Sequence, residues 1–353
     1  MSSRKNILII YTGGTIGMVK DKGGYRPQKG HLAQLMEKIS DLKDPQIPRY
    51  EIIEFEPIID SSNVTPAVWN NIVQIIEEQY ERYDGFLVIH GTDTMAYTAS
   101  ALAFMCQNLS KNIIITGSQI PLCEIRNDAR ENIITALLLC ANYPTNEVSI
   151  YFNGKLLRGC RTTKTNVSGF DAFYSPNHLP LGVVGAKFNI KTGAISPDFD
   201  LSRKENNPIH LDKITFTHID HEHIKLVIIS LFPGLDPGII EHVLELKING
   251  IIIRAYGAGN GPSTDHDPRL INAIKSIVDK GVLVAVTTQC TKGSVLFGEY
   301  ATSLRNAGAV SAFDMTVEAS IAKMYYLLSF KDKSNIRQLF ETNLSGELSK
   351  DNY

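Results

Sequence analysis

No stretch of the chain approaches the roughly 18 consecutive apolar residues of a membrane-spanning helix, and no polybasic run offers a surface for anionic lipid. Lys and Arg number 35 against 37 Asp and Glu, a formal net charge of −2. That balance removes the electrostatic case for nucleic acid, which is usually met by a basic stripe or a high pI. The five cysteines (Cys106, Cys123, Cys140, Cys160, Cys290) are odd in number and lack metal-ligand spacing. Cys106 and Cys140 lie in apolar, helix-like stretches that suit buried free thiols, a usage expected of a reducing cytoplasm. The opening MSSRKNILIIYTGG has two cations, but its apolar run of roughly six residues is too short for a signal-peptide core and no small-residue cleavage pattern follows. No G-x-S-x-G elbow follows any β-like run, which argues against a serine triad.

What is present is ordinary globular material: 353 residues, 43% hydrophobic and 20% charged. A single core tends to stop growing near 250–300 residues, so roughly two domains are expected. Short β-branched runs recur at Asn6–Tyr11, Phe86–His90, Asn112–Thr116, Val148–Phe152, Leu226–Ser230, Ile251–Ala255 and Val282–Val286. Their continuous apolarity suits strands covered on both faces of a parallel sheet. Helical patterns alternate with them. Thr65-Pro66 offers an N-cap and a first-turn proline for a helix reaching about Tyr83, and Asp128 with Glu131 has capping-box spacing before Ile133–Cys140. Further helices are expected over Tyr97–Leu109, Pro237–Leu246, Pro268–Lys280 and Thr316–Ser329. The alternation predicts an α/β fold of two doubly wound, mainly parallel sheets, a larger N-terminal domain over 1–195 and a smaller C-terminal one over 224–353. The stretch 196–223, rich in polar residues and proline, reads as the linker.

Several of the expected strands end alike. Tyr11 leads into Thr12-Gly13-Gly14-Thr15, His90 into Gly91-Thr92-Asp93-Thr94, and Ile115 into Thr116-Gly117-Ser118-Gln119. Ligands of open α/β sheets bind at the carboxyl ends of strands, so hydroxyl and glycine residues collect where a site belongs. Each motif also has a plainer reading. Thr12–Gly17 misses the dinucleotide fingerprint because threonine stands where its first glycine belongs, and it can be a tight turn with incidental threonines. A threonine there becomes a nucleophile only with a base and amide donors beside it. Gly91–Thr94 can be a helix cap, or Asp93 can hold an ammonium while Thr92 sets a hydroxyl near a reacting carbonyl. Lys164 in Arg161-Thr162-Thr163-Lys164 is a solvated charge unless it is desolvated beside Thr92, where it gains a role in proton transfer. His218, His221 and His223 invite a metal, but they sit in the polar stretch with no second ligand cluster.

Taken together, YTGGTIG (Tyr11–Gly17), DSSN (Asp60–Asn63), HGTDTMAYTA (His90–Ala99), TGSQIP (Thr116–Pro121) and RTTK (Arg161–Lys164) resemble the bacterial-type L-asparaginases, closest to the cytoplasmic type I branch. RAYGAGN (Arg254–Asn260), TQC (Thr288–Cys290) and DMTVEA (Asp314–Ala319) extend the likeness into the C-terminal half. The resemblance implies roles. Thr15 matches the threonine that attacks the side-chain amide carbon of L-asparagine, and Tyr25 the tyrosine of a closing loop that hydrogen-bonds it. Asp60, Ser61 and Ser62 match the segment that grips the substrate's α-carboxylate and α-amino groups, with Ser118 also on the substrate side. Thr92, Asp93 and Lys164 match a second cluster, in which Asp93 contacts the ammonium while Thr92 and Lys164 manage protons. Thr163, Arg254, Asn260 and Cys290 resemble the effector-site positions of type I enzymes, at which asparagine itself would act.

The resemblance further implies a cytoplasmic homo-oligomer, a dimer or tetramer, that uses neither metal nor cofactor and binds neither nucleic acid nor membrane. Archaeal-type tRNA amidotransferase subunits share the core motifs but carry an extra N-terminal domain, for which a first strand at about residue 6 leaves no room. Two alternatives stand: an amidase acting mainly on glutamine or another β-amide, and a non-catalytic amino-acid sensor.

Overall fold

The computed structural model describes residues 4–190, 213–262, 267–297 and 304–349. They fall into two compact units, one ending at Thr217 and one beginning at His218. Most of the stretch read as linker, 196–212, lies outside the described residues.

The first unit opens with β1 (Asn6–Gly13), a hairpin of β2 (Met18–Asp21) and β3 (Gly24–Pro27), helix α1 (His31–Glu37) and the long β4 (Arg49–Ile59). There follow α2 (Pro66–Gln79), β5 (Gly85–Ile89), α3 (Met95–Met105), β6 (Cys106–Gln107), β7 (Ile113–Thr116), α4 (Ala129–Asn142), β8 (Val148–Phe152) and β9 (Lys155–Arg158). Short strands complete it: β10 (Thr163–Lys164), β11 (Phe173–Tyr174), β12 (Gly182–Val184), β13 (Phe188–Ile190) and β14 (Thr215–Phe216). The principal sheet has eight strands in the order β13-β12-β9-β8-β7-β5-β1-β4. Its β4-β1-β5-β7-β8 half is parallel, and the pairs from β8–β9 outward are antiparallel. Ile7, Ile9, Leu87, Ile89 and Ile114 of one face pack with Leu32 and Met36 of α1 and Ile133, Ala136 and Leu137 of α4. The alternate residues Leu8, Ile10, Phe86 and Val88 point the other way and are equally buried, so both faces are covered. The β-branched runs form strands because only there can every apolar side chain leave water while each backbone group keeps a ladder partner.

The second unit repeats the plan at smaller scale. Strands β15 (Leu226–Ser230), β16 (Gly250–Ala255), β17 (Leu283–Thr288) and β18 (Val310–Ser311) are all parallel, in that spatial order. Helix Arg269–Asp279 buries Leu270, Ala273, Ile274 and Ile277 against them, the i, i+3, i+4, i+7 stripe of an amphipathic helix. The pattern at Thr316 also holds, its hydroxyl accepting from Ala319 N at 3.1 Å to cap helix Val317–Leu328.

Differences from the sequence reading are local. The capping box at Asp128 does not form: no side-chain cap bond is made there, and the Asp128 carboxylate instead accepts from the backbone N–H groups of Gln119 and Ile120. Two loop amides outcompete the helix's own first turn for it. Thr65 stands at its N-cap without a side-chain bond, with Pro66 at the first helical turn as read. Helix α3 begins at Met95 and yields at Cys106 to β6, which pairs with β14 of the polar stretch.

Candidate active site

Strand β1 runs out through two glycines in backbone conformations that L side chains rarely adopt, Gly13 at φ 135° and Gly14 at φ 92°. A Cβ on Gly13 would lie 2.0 Å from the Ile59 carbonyl oxygen, and one on Gly14 2.4 Å from Gly91 Cα and N. Gly91 is as tightly placed against Ser61, whose Oγ would be 2.5 Å from an added Cβ. The glycines thus let three strand-end loops, those after β1, β4 and β5, meet nearly backbone to backbone. Thr15 opens a single turn of 3-10 helix directly after the contact and is half-buried there.

The β4 and β5 loops are also tied through side chains. Thr94 donates to the Ser61 carbonyl at 2.7 Å, and Asp60 Oδ1 accepts from both Ser62 N and Ser62 Oγ at 2.9 Å, closing the Ser61–Asn63 turn. Ser61 is buried and Ser62 exposed. Beneath them His90 is 1% exposed, and burial lowers its pKa to about 4, so the ring is neutral at ordinary pH. Its tautomer follows from its neighbours. Trp69 Nε1 donates to Thr98 Oγ1 at 3.1 Å, which leaves the Thr98 hydroxyl to donate to His90 Nε2 at 3.0 Å; Nδ1–H then donates to the Gly91 carbonyl at 2.7 Å. The loop that carries Thr92 and Asp93 therefore rests on a fully paired floor.

Lys164, on β10, reaches this loop. Its Nζ donates to Thr92 Oγ1 at 2.7 Å and to Asp93 Oδ1 at 2.8 Å. The lysine side chain is 19% exposed while that of Asp93 is 63% exposed. Lys164 is thus half-buried and set beside Thr92. Thr92 is itself buried, whereas the outward Asp93 carboxylate is open to a ligand's cation.

Other expected residues are placed differently. The Tyr25 hydroxyl gives its one hydrogen to Glu124 Oε1 at 2.7 Å rather than to Thr15, on an exposed hairpin where that bond to a carboxylate raises its pKa. Ser118 is buried and its Oγ donates to the Ile120 carbonyl at 2.7 Å, so its hydroxyl hydrogen is committed within its own loop. In the second unit Arg254 is the penultimate residue of β16, and its buried Nε has no hydrogen-bond partner. Thr287, its register partner on β17, also has a buried and unpartnered Oγ1. Asn260 closes a backbone bridge to Tyr256, and Cys290 is exposed, its N–H given to Thr288 Oγ1 at 3.0 Å. Thr163 lies on β10 beside Lys164, in the first unit. His223 is ion-paired with Asp220 at 2.8 Å, and among the described residues no three His, Cys, Asp or Glu groups could hold a metal.

Two residues at the site had no role assigned from sequence. Gln119 accepts from Thr92 Oγ1 at 3.3 Å, and Glu124 receives Tyr25. The signal for Gln119 was its place in TGSQIP, a polar side chain directly at a strand-end loop; for Glu124 there was none.

Comparison with known proteins matches nearly the whole chain. The family model described as asparaginase, N-terminal, matches residues 6–196, and that of the glutaminase/asparaginase C-terminal domain matches residues 225–340. L-asparaginase 1 of Escherichia coli K12 is 39% identical over 361 aligned positions, covering 99% of each chain. The crystal structure of L-asparaginase I from Vibrio cholerae superposes with a TM-score of 0.86 at 38% identity, covering 99% of this chain and 100% of that one. The thermostable L-asparaginase of Thermococcus kodakarensis does so at 0.82 and 29% identity, covering 98% and 100%.

Proposed function

The chain belongs to the asparaginase family, in the branch of the type I bacterial L-asparaginases, and from that premise we propose that it hydrolyses the side-chain amide of L-asparagine through an ester on Thr15. The observation that carries the reading is the Lys164–Thr92–Asp93 cluster, joined to the Thr15 turn through the Gly14–Gly91 contact. The α-ammonium of the substrate meets the Asp93 carboxylate, and the Asp60–Ser62 turn takes the rest of the amino-acid head, with the Ser118 loop beside it. The side-chain amide then lies between Thr15 and Thr92.

Thr15 Oγ attacks the amide carbon. Its proton goes by way of the hydroxyl and amine groups of the site to the leaving nitrogen, which departs as ammonia and leaves a β-aspartyl ester. Water attacks that ester, the Thr15 hydroxyl is restored and aspartate leaves. A threonine hydroxyl is almost fully protonated at neutral pH, so both steps need a proton carrier, and Lys164 with Thr92 suits that task. Backbone N–H groups beside Thr15 and Thr92 are suited to the oxyanion. We place the enzyme in the cytoplasm as a homo-oligomer, a dimer or tetramer.

The test is ammonia release by purified protein given asparagine, glutamine or buffer. Asparagine should be strongly preferred, with glutamine cleaved detectably at high concentration, because one extra methylene is rejected only about 10–200-fold by packing. Equal specificity constants would favour a broader amidase. Tight asparagine binding without ammonia would favour a sensor. A second reading adds an effector site in the second unit at Arg254, with Asn260 and Cys290; it is favoured by the unpartnered Arg254 Nε and Thr287 Oγ1, a buried pair of donors suited to a carboxylate.

A further inference from the structure

We propose that Gln119 is a positioning residue that fixes the direction of the Thr92 hydroxyl and binds the loop after Lys164 into the same unit. The proposal rests on the reading of Thr92 and Lys164 as the proton carriers.

The orientation of the Gln119 amide is settled by its neighbours. Nε2 donates to the carbonyl of Val167 at 2.9 Å and to that of Gly169 at 3.0 Å. Carbonyl oxygens only accept, so the nitrogen must face them and Oε1 must face Thr92. Both ends of the residue are held. Asp128 accepts from Gln119 N at 3.0 and 3.1 Å and from Ile120 N at 3.0 Å, and Asn132 Nδ2 donates to the Gly117 carbonyl at 3.0 Å, which pins the loop to the first turns of α4. The two carbonyls are held as well, because Asn166 Oδ1 accepts from Ser168 N at 3.0 Å and Gly169 N at 2.9 Å and closes the turn that presents them.

The polarity of the row then runs one way. Lys164 Nζ donates to Thr92 Oγ1 and to Asp93 Oδ1, and the Thr92 hydroxyl donates in turn to Gln119 Oε1. A hydroxyl rotor has three staggered positions; here one is selected before substrate arrives. The Thr92 oxygen keeps its lone pairs toward Lys164 and the substrate side. One side chain therefore joins the strand-end loops of β5 and β7 to the turn that follows β10. Both N–H donors of Gln119 are taken by carbonyls and its Oε1 faces Thr92, the arrangement of a positioning residue.

The experiment is a double-mutant cycle in steady-state and single-turnover ammonia release. Gln119→Leu should lower kcat by about 10–100-fold with KM within about threefold, the signature of an interaction that acts in the chemical step. Gln119→Glu, which retains an acceptor for Thr92 but loses both donors, should recover most of that loss. In a Thr92→Val background no hydroxyl remains to be oriented, and Gln119→Leu should then change the rate by less than about threefold. A residue that only braces the loop would slow both backgrounds by the same factor and would not be rescued by Gln119→Glu; either result overturns the proposal, as does an unchanged kcat in Gln119→Leu. If Gln119→Leu fails to fold, Gln119→Met, which keeps the side-chain length but has no amide, takes its place in the two backgrounds: a loss of the same size in both overturns the proposal. Wild-type protein that releases no ammonia would overturn the catalytic reading itself, an outcome distinct from any of these.

Discussion

At the carboxyl ends of β5 and β10 in the first unit, polar groups meet partners within about hydrogen-bonding distance: Lys164 with Thr92 and Asp93, Thr92 with Gln119, His90 with Gly91 and Thr98. At the carboxyl ends of β16 and β17 in the second unit, the same kind of sheet leaves Arg254 Nε and Thr287 Oγ1 buried and unpartnered. The first arrangement is what catalysis requires, donors and acceptors arranged before the substrate arrives, so that little reorganisation is left for the reaction. The second suits a receptor. A buried donor without a partner costs roughly 1–3 kcal/mol, and a ligand that supplies the partner recovers it. One fold plan, repeated within a chain, thus presents two different states of polar satisfaction at the same topological place.

The largest effect is expected at the proposed nucleophile of the first site. Thr15→Ala should leave a folded protein, since its turn is held by Gly13 and Gly14 rather than by the threonine side chain. Turnover should fall by several orders of magnitude, about 10³-fold or more, because the ester has no oxygen to form on. Circular dichroism with ammonia release checks both halves; near-normal activity in folded protein would sink the nucleophile. Next comes Lys164→Met, which preserves the length of the side chain but removes the charge. A lost proton carrier typically costs about 10²–10⁴-fold, and since Lys164 touches Thr92 and Asp93 and leaves the Asp60 turn alone, asparagine binding should weaken only modestly. Unchanged turnover would make the cluster structural and erase the contrast between the units.

The floor of the first site supplies a third test. His90 would titrate near 6.5 in the unfolded chain but at about 4 when buried. Between those values the unfolded state holds the extra proton, so the folded state is favoured above about pH 6.5 and loses ground as pH falls toward 4. The full span amounts to about 3 kcal/mol. Thermal midpoints should therefore fall on acidification through this window, and His90→Asn should flatten that part of the dependence. Identical pH profiles for the two proteins would mean that His90 is not the buried neutral group described.

How much of this was legible follows from the physics of each signal. Strands such as β5 and β8 were readable because burial on both faces demands mostly apolar side chains. The long β4 was missed: it is the edge strand, half-exposed, and RYEIIEFEPII interleaves charges that edges use to stay unpaired. The β2–β3 hairpin was missed for a related reason, since beyond Met18 it is largely exposed. Thr15, Thr92 and Lys164 were found through motif resemblance, because nothing local in Arg161–Lys164 says that a lysine will cross to a loop 72 residues earlier. Asp128 shows the limit of local rules. Its spacing to Glu131 fits a capping box, yet the nearest donors in space belong to Gln119 and Ile120.

The smallest expected effect concerns the second unit. Cys290 is exposed there. Arg254 remains a strand-end arginine with a buried Nε that bonds nothing, while its own carbonyl accepts from Gln289 Nε2 at 2.8 Å and from Leu231 N at 3.0 Å. The backbone carbonyl there is satisfied and the side-chain Nε is not. The planar guanidinium can give two parallel hydrogen bonds to a carboxylate. If asparagine is that ligand, the rate against asparagine should be sigmoidal, and Arg254→Ala should alter the curve while the rate at saturation stays within about threefold of wild type. The coupling should be worth ~1–3 kcal/mol, a shift of roughly 5–150-fold in half-saturation between the two conformations. A ligand that binds both conformations equally would shift nothing, so the test includes stoichiometry as well as curvature. Two asparagines per subunit by calorimetry, falling to one in Arg254→Ala, would bear the proposal out. A hyperbolic wild-type curve over the whole range, with a single bound asparagine per subunit, would leave the unpartnered Arg254 and Thr287 without a ligand and the contrast between the two units without a function.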